Sequence, residues 1–152
     1  MKILLGVDDS PHARAAVEYV RTMQWPKPTR VTVLSVVRPL VTAYVEAYAP
    51  LPHTIDEAEA EQMSWHQETA SDAERVLRGA GFETEAKVLR GDPRDVLVEM
   101  AKAERADLVV VGSHGRTGMA KLLLGSVASH VVTHAPCNVM VVKLPDAPGR
   151  RH

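Results

Sequence analysis

Asp107-Leu108-Val109-Val110-Val111-Gly112-Ser113-His114-Gly115-Arg116-Thr117-Gly118, answered a few residues on by Gly125-Ser126, is the stretch on which the reading of this chain turns. Ala106 to Val111, broken only by Asp107, is a short apolar run of the kind that forms a strand buried on both faces. It runs without a break into a loop with glycine at 112, 115 and 118. Beyond the loop, apolar residues recur at helical spacing from about Leu122 to His134, and Ala135-Pro136 ends that period. The unit is therefore strand, glycine-rich turn, helix.

The same unit is written elsewhere in the chain. Ile3 to Val7 is a second short apolar run, ended by Asp8. Ser10-Pro11 then supplies an N-cap and a first-turn proline, and Ala15, Ala16, Tyr19, Val20 and Met23 follow at helical spacing. Trp25-Pro26-Lys27-Pro28 stops that helix, and Arg30 to Val37, rich in β-branched residues, reads as the next strand. Residues 38–54 hold three prolines and no settled period, which predicts a long loop. From Ile55 to Ala80 the pattern is helical, with Trp65, Thr69, Ala73, Val76, Leu77 and Ala80 on one side and glycines bracketing its end. Phe82 to Leu89 alternates as a less buried strand would. Gly91-Asp92-Pro93 repeats the cap-and-proline start ahead of Val96, Leu97, Met100 and Ala101, and Asn138 to Lys143 is a last strand. Alternating strands and helices predict an α/β fold with a mainly parallel sheet.

Composition removes several classes of function. The 152 residues make one domain, 45% hydrophobic and 24% charged, close to the globular average. Eighteen basic against nineteen acidic residues, a net charge of −1, offer no global field for nucleic acid or an anionic membrane. Aromatic residues are only 4%, too few for a base-stacking surface. The single cysteine, Cys137, cannot form an internal disulfide, and no apolar run approaches a signal peptide or a membrane span. The expected address is the cytoplasm, without nucleic-acid or membrane partners.

The loop itself suits a phosphate. Glycines permit positive φ and let a ligand approach the backbone closely, so that amide protons converge on an anion. Ser126, near a helix N-terminus, adds a hydroxyl donor where free amides and the helix dipole already favour negative charge. The spacing is neither GxxxxGK[ST] nor GxGxxG, so P-loop and dinucleotide readings lose ground. It is G-x2-G-x9-G-[ST], with Gly112, Gly115, Gly125 and Ser126 in register.

Together with Val7-Asp8-Asp9-Ser10 after the first strand, Val33-Leu34-Ser35-Val36 in the second and Gly91-Asp92-Pro93, this stretch resembles the universal stress protein family along nearly the whole chain. Asp9 stands where that family commonly has glycine. The resemblance implies a single Rossmann-like domain over 1–143, with five mainly parallel strands in the order 3-2-1-4-5 and four helices on two faces. A flexible tail over 144–152 would follow. The loop pattern is similar to that of the ATP-binding members. Carried over, the resemblance implies a nucleotide site made by Val7, Asp8, Ser10, Val36, Gly112, Ser113, Gly115, Gly125, Ser126 and Val127. Adenine would pair with the main chain at Val36, and Asp8 would lie near the ribose and phosphates. It also implies a homodimer through Asn138 to Lys143, an exposed edge of the kind that pairs with another chain.

Physical reasoning reaches the same place, because ligands of open α/β sheets sit beyond the carboxyl ends of the strands where strand order reverses. A carboxylate beside phosphates calls for Mg2+ held mainly by phosphate oxygens. Asp8 has a second reading, as a cap shared with Ser10. His114 and Arg116 read as solvated loop residues, His130 and His134 as a surface pair, and Cys137 as a small buried hydrophobe. No general base or Walker lysine stands out, so the leading expectation is an ATP-binding regulatory or stress-response protein with unidentified protein partners. The alternatives are a slow nucleotide hydrolase or adenylyl-transferring enzyme, using the loop 38–54 as a second pocket, and a dimeric interaction module that binds no nucleotide.

Overall fold

A computed structural model describes residues 1–40, 55–115 and 123–145. Residues 41–54 of the expected loop over 38–54, the loop glycine Gly118 with Arg116, and residues 146–152 of the expected tail over 144–152 lie outside the described residues. In chain order the elements are β1 (Lys2–Gly6), α1 (Pro11–Thr22), β2 (Arg30–Val37), α2 (Ile55–Gly79), β3 (Glu83–Arg90), α3 (Pro93–Glu104), β4 (Leu108–Gly112), α4 (Ser126–His134) and β5 (Asn138–Val142). The five strands form one sheet in the order β3-β2-β1-β4-β5, and every neighbouring pair is parallel. The expected order and class are both found.

Parallel strands joined by helices must be covered on both faces, and the core divides accordingly. Below one face, Ile3, Leu5, Val31, Val33, Leu108 and Val110 pack with Ala16 and Val20 of α1 and Ala70, Ala73 and Leu77 of α2. On the other face, Leu4, Leu34, Val36, Val109 and Val111 meet Leu97, Val98 and Ala101 of α3 and Ala128 and Val131 of α4. Successive strand residues alternate between the two clusters, as the pleat requires. Each fully buried Leu, Ile or Val contributes about 1.5–3 kcal/mol relative to exposure.

Two details depart from the sequence reading. The buried line of α2 is His66, Ala70, Ala73 and Leu77, whereas Val76 is 44% exposed and Ala80 also faces outward. A spacing of four, three and four residues keeps that line on one stripe, and Val76 lies about a quarter turn from Leu77. The last helix begins at Ser126, not near residue 122, because Gly125 holds extended backbone (φ −68°, ψ 166°) and the 84%-exposed Leu123 precedes it.

Candidate functional site

The connection leaving β1 goes to β2 on one side, while β4 lies on the other, so the carboxyl ends of β1 and β4 flank the reversal in strand order. At the end of β1 the Val7 amide donates to the Leu34 carbonyl at 2.9 Å. Asp8 Oδ1 accepts from the Ser10 amide at 2.8 Å, and the buried Ser10 hydroxyl accepts from the Ala13 amide at 3.1 Å. Ser10 is the N-cap of α1 and Pro11 its first residue, so this helix start is closed by its own side chains. The capping role weighed for Asp8 is thus realised through one carboxylate oxygen. The other, Oδ2, faces Gly115: a Cβ built there would stand 3.1 Å from it.

Close approach, not positive φ, explains Gly112, Gly115 and Gly125. Among the described residues the glycines with positive φ are Gly81 and Gly91, in the turns that end α2 and β3. A Cβ at Gly112 would lie 2.8 Å from the backbone carbon of His12, so glycine here lets the first turn of α1 sit directly on the end of β4. Gly125 touches the same loop from the other side. Its amide donates to the Ser113 carbonyl at 2.7 Å, and a Cβ would come within 3.2 Å of that oxygen and of His114 Cα.

The start of α4 is built differently from that of α1. Gly125 is its N-cap and makes no side-chain capping bond, and the Ser129 amide closes the first turn onto the Gly125 carbonyl at 3.0 Å. Ser126, Val127 and Ala128 therefore supply the first-turn amides, whose N–H bonds point out of the helix end. They project beside the residues that follow β4, with Asp8 across Gly115.

Val36 completes the picture on the β2 side. The register of β1 with β2 stops at Gly6↔Leu34, whereas that of β2 with β3 continues to Val37↔Arg90. Leu34 directs its carbonyl to β1, and Val37 directs its own toward β3, where Gly91 donates to it at 2.9 Å. By the two-residue alternation of a strand, the main-chain groups of Val36 point the way Leu34's do, into the space beyond the end of β1. The structure thus brings Val7, Asp8, Ser10, Val36, Gly112, Ser113, Gly115, Gly125, Ser126 and Val127 to one end of the sheet. Ser113 is the most enclosed of the described loop residues: its amide donates to Val142 and its hydroxyl is buried.

Sequence reading passed over His12. The Ser113 hydroxyl lies 3.1 Å from Nδ1 of His12 and 3.1 Å from Nδ1 of His114, and the two rings stand 5.0 Å apart, tilted by 53°. The available signal was position: His12 is the second residue of a helix whose N-terminus faces the switch point.

The remaining candidates stay apart from this end of the sheet. His130 and His134 stack at 4.1 Å on α4, and His130 Nε2 is 3.6 Å from Asp95. Among the described residues no group of three or more His, Cys, Asp or Glu is arranged to hold a metal. Cys137 is a free, half-buried thiol whose pKa burial pushes up. Asp92, capping α3, is gripped by the Arg94 guanidinium, which lowers its pKa to about 2. No helix among the described residues is long and apolar enough to cross a membrane.

Comparison with known proteins agrees with this architecture. The family model "Universal stress protein family" matches residues 1–143. A universal stress protein of Thermus aquaticus is 30% identical, over 93% of this chain and 97% of that one. The solved structure of MJ0577, from Methanocaldococcus jannaschii, superposes with a TM-score of 0.81 at 27% identity, covering 96% of this chain and 97% of that one. The universal stress protein of Archaeoglobus fulgidus in complex with dAMP gives 0.66 at 25% identity, over 94% and 98%. Two further relatives are matched over shorter stretches, 46% and 60% of their own length. With its fold, its strand order and the match over residues 1–143, this chain belongs to the universal stress protein family.

Proposed function

We propose that the protein binds an adenosine phosphate, ATP foremost, at the carboxyl ends of β1 and β4 and works as a regulatory, stress-responsive binding protein and not as a fast enzyme. The observation that carries this reading is the start of α4. Gly125 leaves the first-turn amides without a side-chain cap beside a loop whose glycines admit close approach, and Ser126 and Val127 belong to that turn. The A. fulgidus relative, whose structure holds dAMP, supports an adenine nucleotide as the ligand class.

In this reading the adenine edge pairs with the open main chain of Val36, the ribose lies by Val7 and Asp8, and Gly112, Ser113, Gly115, Gly125, Ser126 and Val127 surround the phosphates. Ser10 holds the Asp8 turn in place through its amide. A single carboxylate oxygen facing the loop suits Mg2+ that takes most of its ligands from phosphate and water. The metal would offset the repulsion between Asp8 and the phosphates. Fast turnover is not expected from a site whose donors are mainly backbone amides, although such donors give some electrostatic stabilisation.

The edge of β5 would join two copies, since Val139, Met140 and Val141 are only half-buried and Val132 and Leu144 are 50% and 39% exposed. One cysteine without a partner suits the cytoplasm. Small molecules released by denaturing gently purified protein, identified by mass spectrometry, test the ligand class. The expected result is an adenosine phosphate in near-stoichiometric amount after incubation with ATP and Mg2+; release of none would refute the reading.

A further inference from the structure

His12, Ser113 and His114 form a hydrogen-bonded unit across the switch point, and its proton count has a consequence. One hydroxyl carries one proton. With Ser113 Oγ 3.1 Å from both Nδ1 atoms and the residue only 2% exposed, the arrangement that leaves no buried hydroxyl proton unpaired has Oγ–H donating to one ring and accepting N–H from the other. The two neutral imidazoles must then be opposite tautomers. One carries its proton on Nδ1, the other on Nε2.

The two assignments differ in what His12 offers at Nε2. Its backbone is pinned against Gly112, where a Cβ would come within 2.8 Å, and Pro11 precedes it in the first turn of α1. Its Nδ1 is committed to Ser113, so Nε2 lies on the far side of the ring and has no hydrogen-bond partner among the described residues. His114 is tied by its Cα to Gly125 and hence to the start of α4. An Nε2 bearing a lone pair would repel a phosphate oxygen at this mouth, whereas an Nε2–H would bind it.

We propose that His12 is a phosphate-contacting residue of this site: Ser113 donates to His12 Nδ1, His114 donates from its own Nδ1 to Ser113, and the His12 Nε2–H is a donor for the phosphate of a bound adenosine nucleotide. The proposal rests on the nucleotide reading above and adds to it a side-chain donor from α1. It also predicts preference for phosphorylated adenosine over adenosine, because the contact exists only when phosphate is present.

Two measurements test it. Long-range proton–nitrogen NMR spectra of the full chain in mildly alkaline buffer report each tautomer. His12 is expected as the Nε2–H form and His114 as the Nδ1–H form, and Ser113→Ala is expected to abolish that fixed assignment; His12 protonated on Nδ1 overturns the proposal. Calorimetric titration with ATP and with adenosine then compares variants. His12→Phe should weaken ATP about tenfold, the worth of one hydrogen bond to a charged group, and leave adenosine unchanged. His12→Gln, whose amide N–H stands in for Nε2–H, should recover most of the loss. A purely structural role would lower the melting temperature but leave the ratio of ATP to adenosine affinity as in the wild type, and that result overturns the proposal. Wild-type protein that binds no adenine nucleotide overturns the nucleotide reading itself and the phosphate contact with it; wild type that binds, with an unchanged ratio in His12→Phe, overturns the contact alone.

Discussion

Three helices of this fold start where a strand ends, and they start in two ways. After β1, Ser10 caps α1 and Pro11 follows; after β3, Asp92 caps α3 and Pro93 follows. Both turns satisfy their helices from within. After β4 the cap is Gly125, with no side chain to offer, and the loop is drawn tight by contacts of Gly112 with His12 and of Gly115 with Asp8. The first two turns are built for stability. The third gives up a side-chain cap, at a cost of about a few tenths of a kcal/mol for a glycine N-cap, and leaves its first-turn amides without a side-chain partner.

That contrast breaks most severely at Gly112. Gly112→Ala should cost about 1–3 kcal/mol in urea unfolding, because the new methyl meets His12 backbone, which cannot swing aside as a side chain would. Turning the third start into a copy of the second is the sharper test. Gly125→Asp should lower ATP affinity by tenfold or more, since the carboxylate occupies the first-turn amides and repels phosphate, while the fold survives with adjustment at the 3.2 Å contacts around Gly125. Ser10→Ala acts on the first start and should cost about 1 kcal/mol of stability, read from the denaturation midpoint, by freeing the Ala13 amide.

The smallest effect belongs to Asp92. Its folded-state pKa of about 2 lies below the ordinary value of 3.8, so its contribution is complete above about pH 4 and disappears as pH falls through 2. Asp92→Ala should therefore melt below the wild type at neutral pH, and the gap should close between those two values.

The same contrast governs what could be read in advance. Ser10-Pro11 and Gly91-Asp92-Pro93 announce their helices because a cap and a first-turn proline act within four residues. The apolar runs at Ile3 to Val7 and Ala106 to Val111 announce a sheet buried on both faces, and strand order follows from the family resemblance. The start of α4 was misplaced by several residues because leucines 122 to 124 extend the apolar period past the point where Gly125 turns the chain. Local spacing suggests positive φ as one reason for the loop glycines, but at Gly112 and Gly115 the reason is proximity to α1 and Asp8, a tertiary fact invisible in local spacing. His12 was missed for the same cause: nothing along the chain joins it to Ser113, 101 residues away.

The central claim is that the glycine-lined end of β1 and β4 holds an adenosine phosphate, and calorimetric titration of wild type and Gly115→Leu with ATP and Mg2+ tests it most directly. A Cβ at Gly115 would stand 3.1 Å from Asp8 Oδ2, and a longer side chain would fill the space between Asp8 and α4. Saturable micromolar binding by the wild type and its loss in the variant is the predicted result. Equal binding by both, or binding by neither, would contradict it.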